Sequence, residues 1–258
     1  MEDSFNEYNE RISYMISQEA IRWKSGQLTP PTHRFVRGVY GDWEPVGHPG
    51  YTVITPTFVD ESENIDTYAR LGDVQHFLLK RLGIVTNAPA PVTAFHLTIA
   101  DLVAGGTYTE KVQGSKQQQL LQALSFVFNQ LALDGEIRLQ VLGLSLFATG
   151  FIIAVVGAAD ASGYERLMLF RNAVYDDTQL CNLGVERKFK FTGHITLAYI
   201  EDVLSEQDRG RIAETLTAAN RNLFAKPLPL EVVRAEIRKF DDMSAFYRQG
   251  GWPVFDFA

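Results

Sequence analysis

One short pattern, a histidine and a threonine separated by an apolar residue, occurs twice within apolar stretches of this sequence. The first copy is His96-Leu97-Thr98 in VTAFHLTIADL, and the second is His194-Ile195-Thr196 in FKFTGHITLAYI. Alternate side chains of a β-strand point to the same face, so each His and Thr should share one face while their apolar neighbours enter a core. The pattern therefore requires two strands, each covered on one side and accessible on the other.

Amphipathic helices are predicted beside both strands. Apolar residues recur with helical spacing at 1–25, 61–82, 115–134, 163–174 and 205–223. Shorter stretches rich in β-branched or alternating apolar residues predict strands at 34–40, 51–59, 92–102, 137–146, 151–156, 189–200, 228–239 and 254–257. The order helix, motif strand, helix occurs twice, which favours a duplicated lobe. We therefore predict an α+β fold with two lobes and largely antiparallel sheets flanking a groove.

The first 28 residues are predicted to form a helical extension to the main body. Two prolines and a glycine interrupt residues 26–33, where the helical spacing ends. Residues 29–258 are expected to form a single bilobal domain, because a chain that is 46% apolar can bury a core of this size. The role of the extension does not follow from the sequence.

The net charge of −7 argues against a protein that wraps extended duplex nucleic acid, because such binding depends on Lys and Arg neutralising phosphates. A single cysteine, Cys181, allows no internal disulfide, and the acidic N-terminus does not resemble a signal peptide. The longest apolar run, 142–159, is interrupted by polar residues and glycines, so we expect no membrane span. We expect a cytoplasmic monomer.

Two histidines that face each other across a groove suit in-line displacement at phosphorus. A neutral imidazole can take a proton from water on one side, and a protonated one can give a proton to the leaving oxygen on the other. The threonine hydroxyls can donate hydrogen bonds to the non-bridging phosphate oxygens. This chemistry needs no cofactor and no metal, and the spacing of His33, His48 and His76 matches no familiar zinc pattern.

The paired motifs resemble those of the two-histidine phosphoesterase superfamily, which includes 2′-5′ RNA ligase-like proteins, cyclic nucleotide phosphodiesterases and RNA-end processing enzymes. The stretches GYTVITP (50–56) and GHITLAYI (193–200) are similar to a bacterial branch with no assigned function. The resemblance implies a bilobal fold with a pseudo-twofold axis and a central groove. It also implies catalytic roles for His96 and His194 and substrate binding by Thr98 and Thr196.

The leading hypothesis is an enzyme that hydrolyses or transesterifies a phosphodiester without a metal. We expect its substrate to be a 2′,3′-cyclic phosphate on a nucleotide or an RNA terminus. Two alternatives stay open: a 2′-5′ RNA end ligase, which runs the reverse reaction, and a binding protein that holds a phosphorylated ligand without turnover. The sequence does not tell which histidine is the acid.

Three aromatic residues are further candidates for the lining of the groove. Tyr40 and Trp43 flank a glycine-containing loop and could stack a base, although loop anchoring explains them equally well. Tyr51 begins a strand that could border the groove, or it could simply pack in a core.

Overall fold

The structure is a computed structural model that describes residues 2–60, 63–83 and 87–257. Its α-helices are α1 (Phe5–Met15), α2 (Gln18–Gly26), α3 (Ile65–Leu82), α4 (Gly105–Lys111), α5 (Gln117–Gln130), α6 (Ala161–Asp176), α7 (Thr178–Asn182) and α8 (Glu206–Leu223). Its strands are β1 (Phe35–Arg37), β2 (Trp43–Pro45), β3 (Gly50–Ile54), β4 (Asn87–Pro89), β5 (Thr98–Ala104), β6 (Ile137–Phe147), β7 (Phe151–Ala158), β8 (His194–Ile200), β9 (Leu228–Val232), β10 (Arg234–Phe240) and β11 (Val254–Asp256).

Two antiparallel sheets form the body of the protein, and each contains one of the motif strands. The four-stranded sheet has the order β11-β10-β3-β5, and the five-stranded sheet has the order β4-β8-β7-β6-β9. A hairpin of β1 and β2 stands apart from both. The predicted α+β class with antiparallel sheets is confirmed. No helix in the described ranges is long and apolar enough to cross a bilayer.

The two sheets exchange strands, so neither is built from one half of the chain. Strand β4 precedes the first motif but pairs with β8 of the second sheet, and β10 and β11 return from the C-terminal end to pair beside β3. The expected single strand over 228–239 is wrong for this reason. The chain leaves one sheet after β9 and enters the other at β10, and Val233 at the junction accepts a hydrogen bond from Phe257 instead of a ladder partner.

The expected single helix over 1–25 is also wrong, because the chain breaks at Ser17. Ser17 adopts an extended conformation, and its hydroxyl accepts a hydrogen bond from the backbone N–H of Ala20, which makes it the N-cap of α2. Helix α1 lies against β7, and α2 lies against α8. Helix α8 begins with a capping box of Ser205 and Asp208, a pattern that the sequence itself displays.

The core consists of the inner faces of both sheets and the helices that cover them. Leu97 and Ile99 of the first motif region, and Ile195 and Leu197 of the second, are completely buried. The apolar positions of both motifs therefore enter the core, as the alternation predicted, and the strands that carry them are fixed by packing on that side.

A glycine at the start of β3 allows three strands to approach closely. A Cβ atom at Gly50 would collide with the carbonyl oxygen of Val103 and would lie 2.5 Å from the ring of Phe240. We predict that Gly50→Ala lowers the free energy of unfolding by about 1–3 kcal/mol, because backbone and a packed ring must both shift.

Urea denaturation followed by circular dichroism measures this change. Gly26→Ala is the matched control. Gly26 lies at the end of α2, and a Cβ atom added there would have no neighbouring atom within 4 Å. We expect the control to leave stability unchanged or slightly raised. Equal stability of the two variants would contradict the packing at Gly50.

Candidate active site

The first motif lies where a tight turn leads into strand β5. Residues Val92–Ala94 form a 3₁₀ turn after Pro91, and β5 begins only at Thr98. His96 therefore precedes the strand, whereas the sequence predicted a continuous strand over 92–102. The connection is still held as extended chain, because the N–H of Leu97 donates to the hydroxyl of Thr55 and the N–H of Thr55 donates to the carbonyl of Leu97.

The second motif begins strand β8, between β4 and β7. His194 and Thr196 are half-buried, while Ile195 and Leu197 between and after them are buried. His96 and Thr98 show the same half-buried state. Both His–Thr pairs thus lie on the accessible side of chain segments whose other side enters the core.

The two imidazoles are held by the same device. The Nδ1 atom of His96 lies 2.7 Å from the carbonyl oxygen of Ala94, and that of His194 lies 2.8 Å from the carbonyl oxygen of Thr192. A carbonyl oxygen only accepts, so Nδ1 must carry the hydrogen in both rings. In the neutral form the lone pair is then on Nε2, which is the nitrogen available to a substrate.

An aromatic ring packs against each imidazole. The ring of Phe246 lies 4.2 Å from the ring of His96, and Phe147 makes an edge contact of 4.9 Å with His194, measured between ring centroids. Together with the Nδ1 hydrogen bonds, these contacts restrict rotation of both side chains. A preoriented imidazole loses less freedom when it engages a reacting group.

Each histidine is influenced by a charged group from the other motif's sheet. Burial, together with the positive charges of His194 and Arg238, lowers the pKa of His96 to about 4, against the hydrogen bond to Ala94. Burial also lowers the pKa of His194, against the hydrogen bond to Thr192 and the negative charge of Asp101. His96 thus interacts with a group from the other sheet, and so does His194.

Two charged residues of this region were not predicted from the sequence. Arg238 of β10 and Asp101 of β5 both pair with Thr52 of β3, one on either side. Arg238 is 6% exposed and pairs with Asp60 at 2.9 Å and with Glu236. The sequence does contain a clue, because the charged residues Arg234, Glu236 and Arg238 occupy alternate positions of this strand.

The threonine hydroxyls of the motifs are available to a ligand. Within residues 2–60, 63–83 and 87–257, neither Thr98 nor Thr196 makes a side-chain hydrogen bond. A hydroxyl that is half-buried and unpaired within the protein can donate to an oxygen atom of a bound molecule.

The aromatic residues proposed to line the groove lie in different places. Tyr40 is 97% exposed in the turn between β1 and β2, and Trp43 packs under the guanidinium of Arg37 at 3.9 Å. Lining of the groove by these two residues stays a prediction. Tyr51 is buried beside Trp252, in a cavity of about 350 Å³, on the face of β3 opposite to Thr52. The structure therefore does not bring Tyr51 to the histidines.

No three His, Cys, Asp or Glu side chains converge as a metal-binding group in the part of the chain that the structure describes. Chemistry without a metal stays a prediction, which rests on the two histidines.

Comparison with solved structures identifies proteins of the same architecture. A conserved protein of unknown function from Agrobacterium tumefaciens str. C58, ATU0111, superposes with a TM-score of 0.63 and 19% identity, over 93% of this chain and 97% of that one. The chain shares its fold. TT0787 of Thermus thermophilus superposes with a TM-score of 0.51 and 15% identity, over 80% of this chain and 97% of that one.

A structure of E. coli LigT complexed with 3′-AMP is more distant, with a TM-score of 0.44 and 11% identity over 82% of this chain and 96% of that one. No family model and no curated protein matches the chain. The resemblance of the motifs to two-histidine phosphoesterases implies a bilobal α+β fold. The structure has two antiparallel sheets with helices, and each sheet contains one motif strand, so the resemblance is confirmed at the level of the fold.

The lowered pKa of His96 predicts a pH dependence of stability. Between its ordinary value of 6.5 and its folded value of about 4, the unfolded chain binds a proton that the folded chain does not. This group therefore lowers stability as the pH falls through that window. We predict that wild type loses more unfolding free energy than His96→Gln between about pH 7 and pH 4.5.

Urea denaturation at both pH values measures the two losses. Carboxylates contribute to the acid sensitivity of both proteins, so the difference between them isolates the contribution of His96. Identical losses would show that His96 titrates in the folded protein as it does in the unfolded chain.

Proposed function

We propose that this protein cleaves a phosphodiester, with a 2′,3′-cyclic phosphate on a nucleotide or RNA end as substrate, by general acid–base catalysis from His96 and His194. One observation carries the proposal. Two imidazoles from different sheets interact electrostatically, and each has its Nδ1 hydrogen bonded to a carbonyl, which leaves Nε2 for the substrate. An acid and a base on two sides of one phosphorus are what in-line displacement requires.

His96 is the better candidate for the base. Burial, together with the charges of His194 and Arg238, keeps it neutral, so its Nε2 holds a lone pair. Burial lowers the pKa of His194 as well, but the negative charge of Asp101 opposes that shift, whereas the charges near His96 add to it. Unequal electrostatic surroundings of two titratable groups are the usual arrangement of an acid–base pair.

The proposed step conserves protons. His96 removes a proton from a water molecule as its oxygen attacks the phosphorus, and the bond from phosphorus to one ribose oxygen breaks. His194 gives a proton to that leaving oxygen, and the product is a phosphomonoester. The hydroxyls of Thr98 and Thr196 donate to the non-bridging oxygens, where negative charge accumulates. Protons then exchange with solvent to restore both imidazoles.

The charge of the chain supports a small phosphate ester as substrate. Arg238 influences His96 but is paired with Asp60 and Glu236, and the whole chain carries a net charge of −7. An acidic protein disfavours a long polyanion. The motif resemblance to two-histidine phosphoesterases supports the same reaction class.

Activity on a panel of 2′,3′-cyclic nucleotides and short RNAs with cyclic phosphate ends tests the proposal. We predict that wild type opens the cyclic phosphate and that His96→Ala and His194→Ala each lower kcat by about 10² to 10⁴-fold. Retained wild-type rates in both variants would contradict the mechanism. Tight binding without any product would favour the binding protein, and joining of RNA ends would favour the ligase.

A diester with a 4-nitrophenolate leaving group separates the two roles, because this group departs without a proton. On this substrate His194→Ala should recover most of the lost rate, while His96→Ala should stay impaired. Recovery in His96→Ala alone would reverse the assignment of acid and base.

The pH dependence of kcat/KM follows from the two lowered pKa values. Activity should rise as the pH passes about 4, where His96 becomes neutral, and should fall as His194 loses its proton below the ordinary value of 6.5. We therefore predict a bell-shaped profile with its maximum on the acidic side of 6.5. Initial rates at low substrate concentration measure it, and a flat profile with chemistry limiting would contradict the prediction.

A further inference from the structure

The segment that leads into the second motif has no regular structure of its own. Residues 185–193 form neither helix nor strand, yet residue 192 supplies the carbonyl oxygen that holds Nδ1 of His194. A carbonyl in an irregular segment keeps its direction only if other groups fix the chain around it. Those groups belong largely to the N-terminal residues 2–11.

Arg11 of α1 makes the contacts nearest to this carbonyl. Its Nη1 donates to the hydroxyl of Thr192 at 2.9 Å, and its Nη2 donates to the carbonyl of Phe191 at 2.6 Å. Asp3 accepts from Nε of the same guanidinium at 2.7 Å. Asp3 thus fixes one side of the planar guanidinium, and the other side donates hydrogen bonds to two consecutive residues of the segment.

Acidic residues before α1 hold the same segment from the adjacent side. Glu2 accepts a hydrogen bond from the backbone N–H of Phe191 at 2.7 Å and also pairs with the buried Arg171 at 3.0 Å. Asp3 pairs with Lys190. The side chains of Glu2, Asp3 and Arg11 therefore contact three successive residues of the segment.

Tyr8 occupies the place where β8 separates from β7. Its hydroxyl donates to the carbonyl of Val156 at 2.6 Å and accepts from the N–H of Gly193 at 3.2 Å, so it replaces a direct ladder hydrogen bond. A Cβ atom at Gly193 would lie 2.8 Å from this hydroxyl, so the contact requires glycine beside His194. Tyr8 is completely buried between the rings of Tyr164 and Phe191.

The first motif is held in another way. The carbonyl that accepts from Nδ1 of His96 belongs to Ala94. The N–H of Ala94 donates to the carbonyl oxygen of Pro91 at 2.9 Å within the 3₁₀ turn. This turn is stabilised by hydrogen bonds of its own residues. The two histidines therefore share one device, but the carbonyl of Ala94 is held within its own turn, whereas residues near that of Thr192 are held by a distant part of the chain.

We propose that residues 2–11 position His194 for the reaction by fixing the carbonyl of Thr192, with Arg11 as the principal positioning residue. Its effect on turnover rests on the proposed function, while its effect on the imidazole does not. When the carbonyl of Thr192 is free to move, Nδ1 loses its acceptor, and the neutral ring distributes its hydrogen over both nitrogens. The extension is then a part of the active site that acts through the backbone.

The full-length variant Arg11→Ala tests the inference. The imidazole nitrogen chemical shifts in NMR spectra report which ring nitrogen carries the hydrogen. We expect His194 to change from the Nδ1–H form to a mixture in this variant, while His96 keeps the Nδ1–H form. With a substrate that wild type cleaves, we expect kcat to fall roughly ten- to hundredfold with KM little changed, because the displaced group acts in the chemical step.

Two further variants make the outcome decisive. Arg22→Ala removes an exposed arginine of α2 and should behave as wild type. Tyr8→Phe keeps the stacked ring and removes the hydroxyl, so it should shift His194 in the same sense as Arg11→Ala and serves if that variant fails to fold.

An unchanged His194 in both Arg11→Ala and Tyr8→Phe would overturn the inference, and so would equal changes at His96 and His194, which indicate general loosening. If His194 alone changes but wild type cleaves no phosphodiester, the positioning role stands and the proposed function fails.

Discussion

Each histidine of this protein's two motifs depends on one hydrogen bond, from Nδ1 to the carbonyl oxygen two residues earlier in the chain. This bond determines the tautomer, because the carbonyl can only accept, and it determines which nitrogen is left for a ligand. Burial of the rings makes the bond more important, since a buried polar group without a partner is costly. The residues around each motif therefore matter because they fix the positions of these two carbonyl groups.

The two carbonyls are kept in place by different means. A 3₁₀ turn of four neighbouring residues suffices at Ala94, whereas Thr192 is held by side chains that are about 180 positions away in the sequence. The carbonyl of Ala94 is thus held locally, whereas the contacts around Thr192 come from the N-terminal helix, which packs against α6 and β7. The pseudo-symmetry of the motifs conceals this difference in their support.

The exchange of strands between the sheets brings charge to the site. Strand β10 follows the second motif in the chain but pairs with β3, which in turn pairs with β5 of the first motif. The charge of Arg238 on β10 therefore acts on His96. Asp101, on the strand of the first motif, acts on His194 of the second. The pKa of His96 is therefore influenced by a charge on another strand, and the pKa of His194 by a charge on the other sheet. The unequal electrostatic environments of two similar motifs follow from this exchange.

The sequence by itself determined the elements that depend on short-range patterns. Alternation of apolar residues located both motifs and their buried positions, periodicity located α3, α5, α6 and α8, and Ser205 with Asp208 marked the start of α8. Short elements such as β4 and α4 escaped, because three or seven residues carry too little periodicity. The break at Ser17 escaped because the helical spacing of apolar residues continues on both sides of it. Only the tertiary structure decided that the chain changes sheets at Val233, that Tyr51 lies away from the histidines, and that Arg11 supports Thr192. These outcomes depend on pairings between distant segments and on the charges that such pairings bring together, and no local pattern in a single sequence contains that information.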